Sequence, residues 1–275
     1  MQEQPDVSSE LTPPAVHTFD LVRRFQDFVA VDHLNLTVYR GSFFGFLGPN
    51  GAGKSTTIKM LTGLLAPTSG RMLVLGRDLA VEPLEVKRRI GVVPEDLNLF
   101  ERLTGAEMLA FTGRMYGLHK EEIEQRAPEL LALMELSDDP KKLIVEYSHG
   151  MKKKLSLACA LIHRPEILFL DEPFEGVDAI ASRTLKDLLS RLTARGLTVF
   201  LTSHVLEIVE RLCSDIAIIS HGKLLASGSL DELRKGIRVD DDGEHRGPVS
   251  LEEYFIHVVG GAPKAADEEV LQWLG

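Results

Sequence analysis

Two adjacent carboxylates, Asp171 and Glu172, close the apolar run Leu168-Phe169-Leu170. Such a run reads as a strand buried on both faces, where a charge without a partner is costly. Side chains alternate along a strand, so the two acids are expected to face opposite sides and do different work. A cation, a metal ion above all, should await at least one of them. The matching chemistry lies upstream, where Gly48-Pro49-Asn50-Gly51-Ala52-Gly53-Lys54-Ser55 fits G-x-x-x-x-G-K-[ST] without a mismatch. This stretch follows an apolar run and precedes a helix-like segment that opens with Thr56. Glycines let backbone N–H groups curl round phosphate oxygens, and the positive end of the following helix points at them. Lys54 is then expected to reach the β- and γ-phosphates of a nucleotide, and the Ser55 hydroxyl to bind Mg²⁺. Asp171 takes the same Mg²⁺, usually through water, which leaves Glu172 to orient and deprotonate an attacking water. A surface ion pair is the competing reading of Glu172.

The elements that must position these groups are short apolar runs separated by helical patterns. Phe43-Phe44-Gly45-Phe46-Leu47 is continuous, and further strands are expected at 71–76, 89–93, 166–170, 197–202, 215–220 and 223–227. Leu34, Leu36 and Val38 alternate with polar residues, as in a half-buried strand. Between about 96 and 164 the pattern turns helical. Thr104-x-x-Glu107 forms a capping box ahead of Met108, Phe111, Met115 and Leu118, expected on one buried face. Ile123, Ala127, Leu130, Leu131 and Met134 repeat at helical spacing and predict a second helix. Strands alternating with helices favour a largely parallel α/β sheet, here with a helical subdomain inserted. Residues 1–15 read as a loose tail and Asp240-Asp241-Asp242-Gly243 as a solvated turn. Short helices at 250–260 and near 266–274, the last packed through Trp273, close the chain.

Composition is that of an ordinary globular protein, with 44% hydrophobic and 26% charged residues over 275 positions. A net charge of −10 argues against a general nucleic-acid binder and leaves Lys152, Lys153 and Lys154 as a solvated helix face. The opening residues lack the basic and apolar regions of a signal peptide, and no run of about 18 apolar residues occurs. The expected location is the cytoplasm, with membrane contact only through a partner. Cys159 and Cys213 sit in apolar, helix-like contexts and are expected as buried thiols.

Taken in order, the motifs make residues 16–236 resemble the ATP-binding subunit of ABC transporters. Phe25 stands where that family places an adenine-stacking ring, and the phosphate loop follows. Glu95, after Ile90-Gly91-Val92-Val93-Pro94, takes the place of the Q-loop glutamine. Tyr147-Ser148-His149-Gly150-Met151-Lys152 takes that of the signature Leu-Ser-Gly-Gly-Gln. Asp171-Glu172 matches the Walker B end, Asp178 the D-loop, and Thr202-Ser203-His204 the switch histidine.

The resemblance implies a P-loop NTPase core with a mostly parallel sheet, an N-terminal antiparallel β subdomain and an inserted helical subdomain carrying the signature. It implies ATP and Mg²⁺ as cofactors. Phe25 and residues 48–56 would hold ATP, Ser55, Glu95 and Asp171 would attend the metal, and Glu172, Lys54 and His204 would act on the transferred phosphate. Ser148, capping the helix that follows it, would with Gly150 and Asp178 meet the nucleotide of an opposite subunit. One phosphate loop and one signature per chain imply two ATP-binding subunits, identical or sibling, beneath separate membrane permeases. Departures from the pattern are Glu95 for glutamine, His149, Met151 and Lys152 in the signature, and Phe25 for tyrosine. They resemble a bacterial exporter branch, as does the tail Ser-Leu-Glu-Glu-Tyr-Phe-Ile-His-Val-Val-Gly-Gly at 250–261, within a C-terminal helical extension over 237–275. A soluble cassette ATPase and an ATP-dependent regulator are the competing classes, and a helix-capping His204 is the competing reading of that residue.

Overall fold

The computed structural model describes residues 13–236 and 250–260. The expected tail up to residue 12, the acidic turn at 240–243 and Trp273 lie outside the described residues. In chain order, β1 (Val16–Phe25), β2 (Phe28–Leu34) and β3 (Thr37–Val38) precede β4 (Phe43–Leu47) and α1 (Lys54–Leu61). Then come β5 (Ser69–Val74), β6 (Arg77–Asp78), α2 (Pro83–Lys87) and β7 (Ile90–Val93). A helical stretch follows, of α3 (Gly105–Met115), α4 (Lys120–Leu133), a 3₁₀ turn (Ile144–Glu146) and α5 (His149–Leu161). The chain returns through β8 (Ile167–Asp171), α6 (Ala179–Thr193), β9 (Thr198–Ser203) and α7 (Leu206–Leu212). It continues through β10 (Asp215–Ser220), β11 (Lys223–Ser229), α8 (Leu230–Gly236) and α9 (Leu251–Gly260).

The strands form two sheets. One is antiparallel, in the order β2-β1-β5-β6 with β3 paired to β1. The other runs β11-β10-β4-β9-β8-β7 and is parallel except for β11 at its edge. β4, β8 and β9 are buried at every position, as strands covered on both faces must be. Alternation then sorts their side chains into two cores. Phe44, Phe46, Phe169 and Phe200 pack on one face of the sheet with Ile58 and Leu61 of α1. Phe43, Leu47, Leu168, Leu170 and Leu201 pack on the other with α5 and α6 residues such as Leu155 and Leu185.

This topology positions the chemistry. Leu47 is in register with Ser203, and Asp171 with Thr202, so β4, β9 and β8 end side by side. The loop after β4 carries 48–53 and runs into Lys54 and Ser55 at the start of α1, the residue after β9 is His204, and β8 ends at Asp171 with Glu172 next. Open parallel sheets collect their ligands at such carboxyl ends.

Two expectations need correction. In α3 the capping box forms, with Thr104 and Glu107 bonding each other's backbone. The buried stripe, however, is Gly105, Met108, Leu109 and Gly113, while Phe111 and Met115 face solvent. Glycine carries no apolar signal, yet it lets the helices touch: a Cβ on Gly113 would lie 2.8 Å from Ile123 Cγ1 of α4. The lysine run is not a solvated face either. Lys153 and Lys154 are buried. Lys152 and Lys154 pair with Glu101 and Glu135 at 2.7 and 2.6 Å, and Lys153 turns inward to the site. The α4 stripe of Ile123, Ala127 and Met134 is buried, and both cysteines are buried free thiols. Burial pushes the Cys159 thiol up to about 11, so it is protonated at neutral pH.

Candidate functional site

The loop after β4 bends through Gly51 and Gly53, whose φ values of 78° and 107° are left-handed. A Cβ at Gly53 would also lie 2.4 Å from the carbonyl oxygen of Ala30, so this position admits only glycine. α1 starts immediately afterwards. Lys54 is buried, and its Nζ donates to the carbonyl oxygens of Gly48 at 2.8 Å and Pro49 at 3.3 Å. The same ammonium lies 3.5 Å from Glu172 Oε1. Residues 50–56 line an open cavity of 380 Å³ whose other walls include Phe28, Ala30, Glu95, Glu172, Glu175 and His204. Backbone N–H groups of the loop, the start of a helix and one buried ammonium therefore meet in a single concavity, which is the chemistry a polyphosphate requires.

Asp171 and Glu172 do not face opposite ways. Asp171 Oδ1 accepts from Ser55 Oγ at 3.3 Å and from Thr202 Oγ1 at 2.6 Å. Glu172 lies 3.5 Å from Lys54 Nζ through Oε1 and 3.1 Å from His204 Nδ1 through Oε2. Both acids thus address the phosphate loop. The reason is backbone conformation: Glu172 has φ 46°, left-handed, so strand alternation ends at Asp171. Glu172 is buried and its Oε1 accepts no hydrogen bond. A buried carboxylate oxygen that pairs with an ammonium but accepts no hydrogen bond is suited, beside a polyphosphate site, to receive a proton from a small molecule such as water.

The metal question turns on oxygens. Ser55 Oγ and Asp171 Oδ1 adjoin at the loop, and among the described residues no three His, Cys, Asp or Glu side chains converge to hold an ion. Mg²⁺ is commonly bound through one or two protein oxygens plus water and substrate phosphates, and this pair fits that demand.

The remaining residues divide. Glu95 and His204 line the cavity, and so does Glu175, which sequence reasoning passed over. His204 does not cap α7, whose cap residue is Val205. Phe25 is absent from the cavity wall; its ring carries the Arg23 guanidinium at 4.4 Å. Phe28, 63% exposed and paired with Phe25 across the β1–β2 turn, lines the cavity instead. Ser148, Gly150 and Asp178 also stand outside it, and form a group of their own. Ser148 caps α5 by accepting from the Met151 N–H at 3.2 Å. Asp178 caps α6 by accepting from Ala181 and Ile180, which holds its carboxyl below the usual range. A Cβ on Gly150 would lie 3.4 Å from Asp178 Oδ2, so the two helix starts adjoin.

Thr202, quoted only as a neighbour of His204, and Lys153, read only as part of the lysine run, make contributions that were not foreseen. Thr202 Oγ1 donates to Asp171 and accepts the Glu172 N–H at 3.1 Å, bracing both acids from the neighbouring strand. Lys153 donates from α5 to the Glu172 carbonyl at 2.9 Å. Burial lowers its pKa, and the carboxylates Glu175, Glu95, Glu172 and Asp171 oppose that shift. Thr202→Val keeps the volume but strands the buried Glu172 N–H and leaves Asp171 Oδ1 with only its longer bond from Ser55, and is expected to lower stability by about 1–3 kcal/mol. Urea unfolding of the variant checks this; an unchanged midpoint would show that the hydroxyl braces nothing.

Known proteins resemble this chain over most of its length. The ABC transporter family model matches residues 31–175. An uncharacterized ABC transporter ATP-binding protein of Nostoc sp. is 41% identical over 236 residues, covering 82% of this chain and 70% of its own. The bacitracin transport ATP-binding protein of Bacillus licheniformis is 38% identical over 248 residues, covering 88% of this chain and 80% of its own. A solved ATP-binding subunit of an ABC transporter matches with a TM-score of 0.80 at 32% identity, over 89% of this chain and 99% of that one.

Proposed function

This chain belongs to the ABC transporter family as an ATP-binding subunit, and we propose that it works as one of two copies that close on ATP beneath an export permease. It binds and hydrolyses ATP to energise export through separate membrane subunits. One observation carries the mechanism: Lys54, Ser55, Glu172 and His204 converge on one cavity, while Ser148 and Gly150 of the same chain lie outside it. A helix start is a ready anion site, and here it lies outside the chain's own phosphate cavity. A second copy supplies the missing wall.

In this reading residues 48–56 hold the phosphates, and Lys54 draws charge toward the β- and γ-oxygens. Phe28, rather than Phe25, supplies the ring on the cavity wall for the base. Ser55 and Asp171, with Glu95 nearby, would hold Mg²⁺, which supplies charge neutralisation on the phosphates. Glu172 takes a proton from water as the water oxygen attacks the γ-phosphorus. The bond to the β-phosphate oxygen breaks, giving ADP and phosphate. His204, whose Nδ1 lies 3.1 Å from Glu172 Oε2, orients that carboxylate and meets the γ-phosphate.

Among the described residues no helix is long and apolar enough to cross a membrane. The permease is therefore proposed to bring the chain to the cytoplasmic face of the membrane. Its docking surface in this reading is the exposed trio Phe100, Phe111 and Met115. Phe100 and Phe111 meet edge-on at 5.1 Å, in the segment that leads away from Glu95. Ser148→Arg tests the two-copy arrangement. It sacrifices a helix cap, about 1 kcal/mol, and puts a bulky cation at the proposed interface. ATP affinity is expected to stay within a few-fold while ATP-dependent pairing, read by sedimentation, disappears. Pairing at wild-type strength would refute the arrangement.

A further inference from the structure

The structure assigns Lys153 as a positioning residue for Glu172: the ammonium of α5 grips the Glu172 carbonyl and so holds the carboxylate over the phosphate loop. The inference rests on Glu172 being the base. Glu172 stands in a left-handed conformation, φ 46°, which a residue other than glycine adopts at a cost of about 1–2 kcal/mol. Such a conformation persists only where the surroundings fix it. Here both sides of the residue are fixed, the N–H by Thr202 Oγ1 at 3.1 Å and the carbonyl by Lys153 Nζ at 2.9 Å. Without that turn, strand alternation would carry the side chain away from Lys54.

Lys153 is 3% exposed and reaches this carbonyl between apolar neighbours, Val93, Leu157 and Leu170 among them. A buried ammonium is an expensive residue to keep where packing alone is needed, since an apolar side chain of similar length would fill the space. Its position on the chain adds a connection. Ser148, at the start of the same helix, is five residues and about 7.5 Å earlier along the axis. The helix proposed to face the second copy's nucleotide therefore also holds this copy's base.

Lys153→Met, in the full chain, removes the donor and keeps the length. Displacing a catalytic group by about 1 Å costs up to about a hundredfold in rate. We expect kcat for ATP to fall tenfold to a hundredfold, with KM and ATP affinity within twofold. In the Glu172→Gln background the same substitution should produce no further loss of single-turnover hydrolysis, because no base remains to be positioned. If Lys153→Met is insoluble, Lys153→Gln, whose donor is too short for the carbonyl, takes its place with the same expected pattern. A kcat within twofold of wild type, or an equal fold-loss in both backgrounds, overturns the assignment. Should Glu172→Gln itself hydrolyse at the wild-type rate, the reading of Glu172 has failed, and that outcome is distinct from full activity in Lys153→Met alone.

Discussion

Glu172→Gln is expected to lose ATP hydrolysis by about 10²–10⁴-fold, roughly 3–5 kcal/mol of transition-state stabilisation, while still binding ATP. The substitution preserves shape and a hydrogen-bonding tip, so the cavity and the contact with His204 survive. It abolishes the one thing Oε1 is placed to do. That oxygen is buried, accepts no hydrogen bond, and sits 3.5 Å from the ammonium of Lys54. A neutral amide also removes a negative charge from beside the phosphates, so nucleotide affinity should hold or rise. Stalled turnover with intact binding then accumulates the ATP-bound pair. Phosphate release and nucleotide titration on the same preparation check both halves. Hydrolysis at the wild-type rate would remove Glu172 from the role of base.

Lys54→Ala is the second large effect, and it falls on binding. Hydrogen bonds to charged groups contribute about 1.5–3 kcal/mol each, so losing one ammonium facing the phosphates should weaken ATP affinity by about tenfold to a hundredfold. The same ammonium donates to Gly48 and Pro49 in the loop, so part of the loss is a looser cradle. Thermal unfolding without nucleotide separates the two: a modest shift there beside a large loss of affinity assigns the effect to the phosphates. Unchanged affinity would contradict the role given to Lys54.

Much of this was legible in residue order because the physics is local. A glycine-rich loop between an apolar strand and a helix places itself, and Phe43–Leu47 and Thr198–Ser203 announce burial on both faces by lacking any polar alternation until their ends. What was not legible depends on register or on a single torsion. The first strand, Val16–Phe25, carries irregularities in both of its main pairings, which break the period-two pattern. The turn at Glu172 is invisible in its side chain, so the alternation rule pointed it the wrong way. Lys153 read as surface because it lies between two other lysines; only the packing of α5 against the end of β8 shows it turned inward. The same holds for Thr202, whose partnership with Asp171 is set by the pairing of β8 with β9. Phe25 holds the family's ring position in residue order, yet Phe28, paired with it across the β1–β2 turn, is the one that lines the cavity.

A nucleotide held by one copy's phosphate loop should be closed off by another copy's Ser148, and mixing two crippled variants tests this. Lys54→Ala spoils the loop and Ser148→Arg spoils the closing helix, each in a Glu172→Gln background so that pairs are trapped. Alone, neither variant should pair on adding ATP. Mixed, they should form an ATP-dependent dimer by sedimentation, since one intact loop then faces one intact Ser148. A mixture that stays monomeric under conditions where Glu172→Gln alone pairs would contradict it.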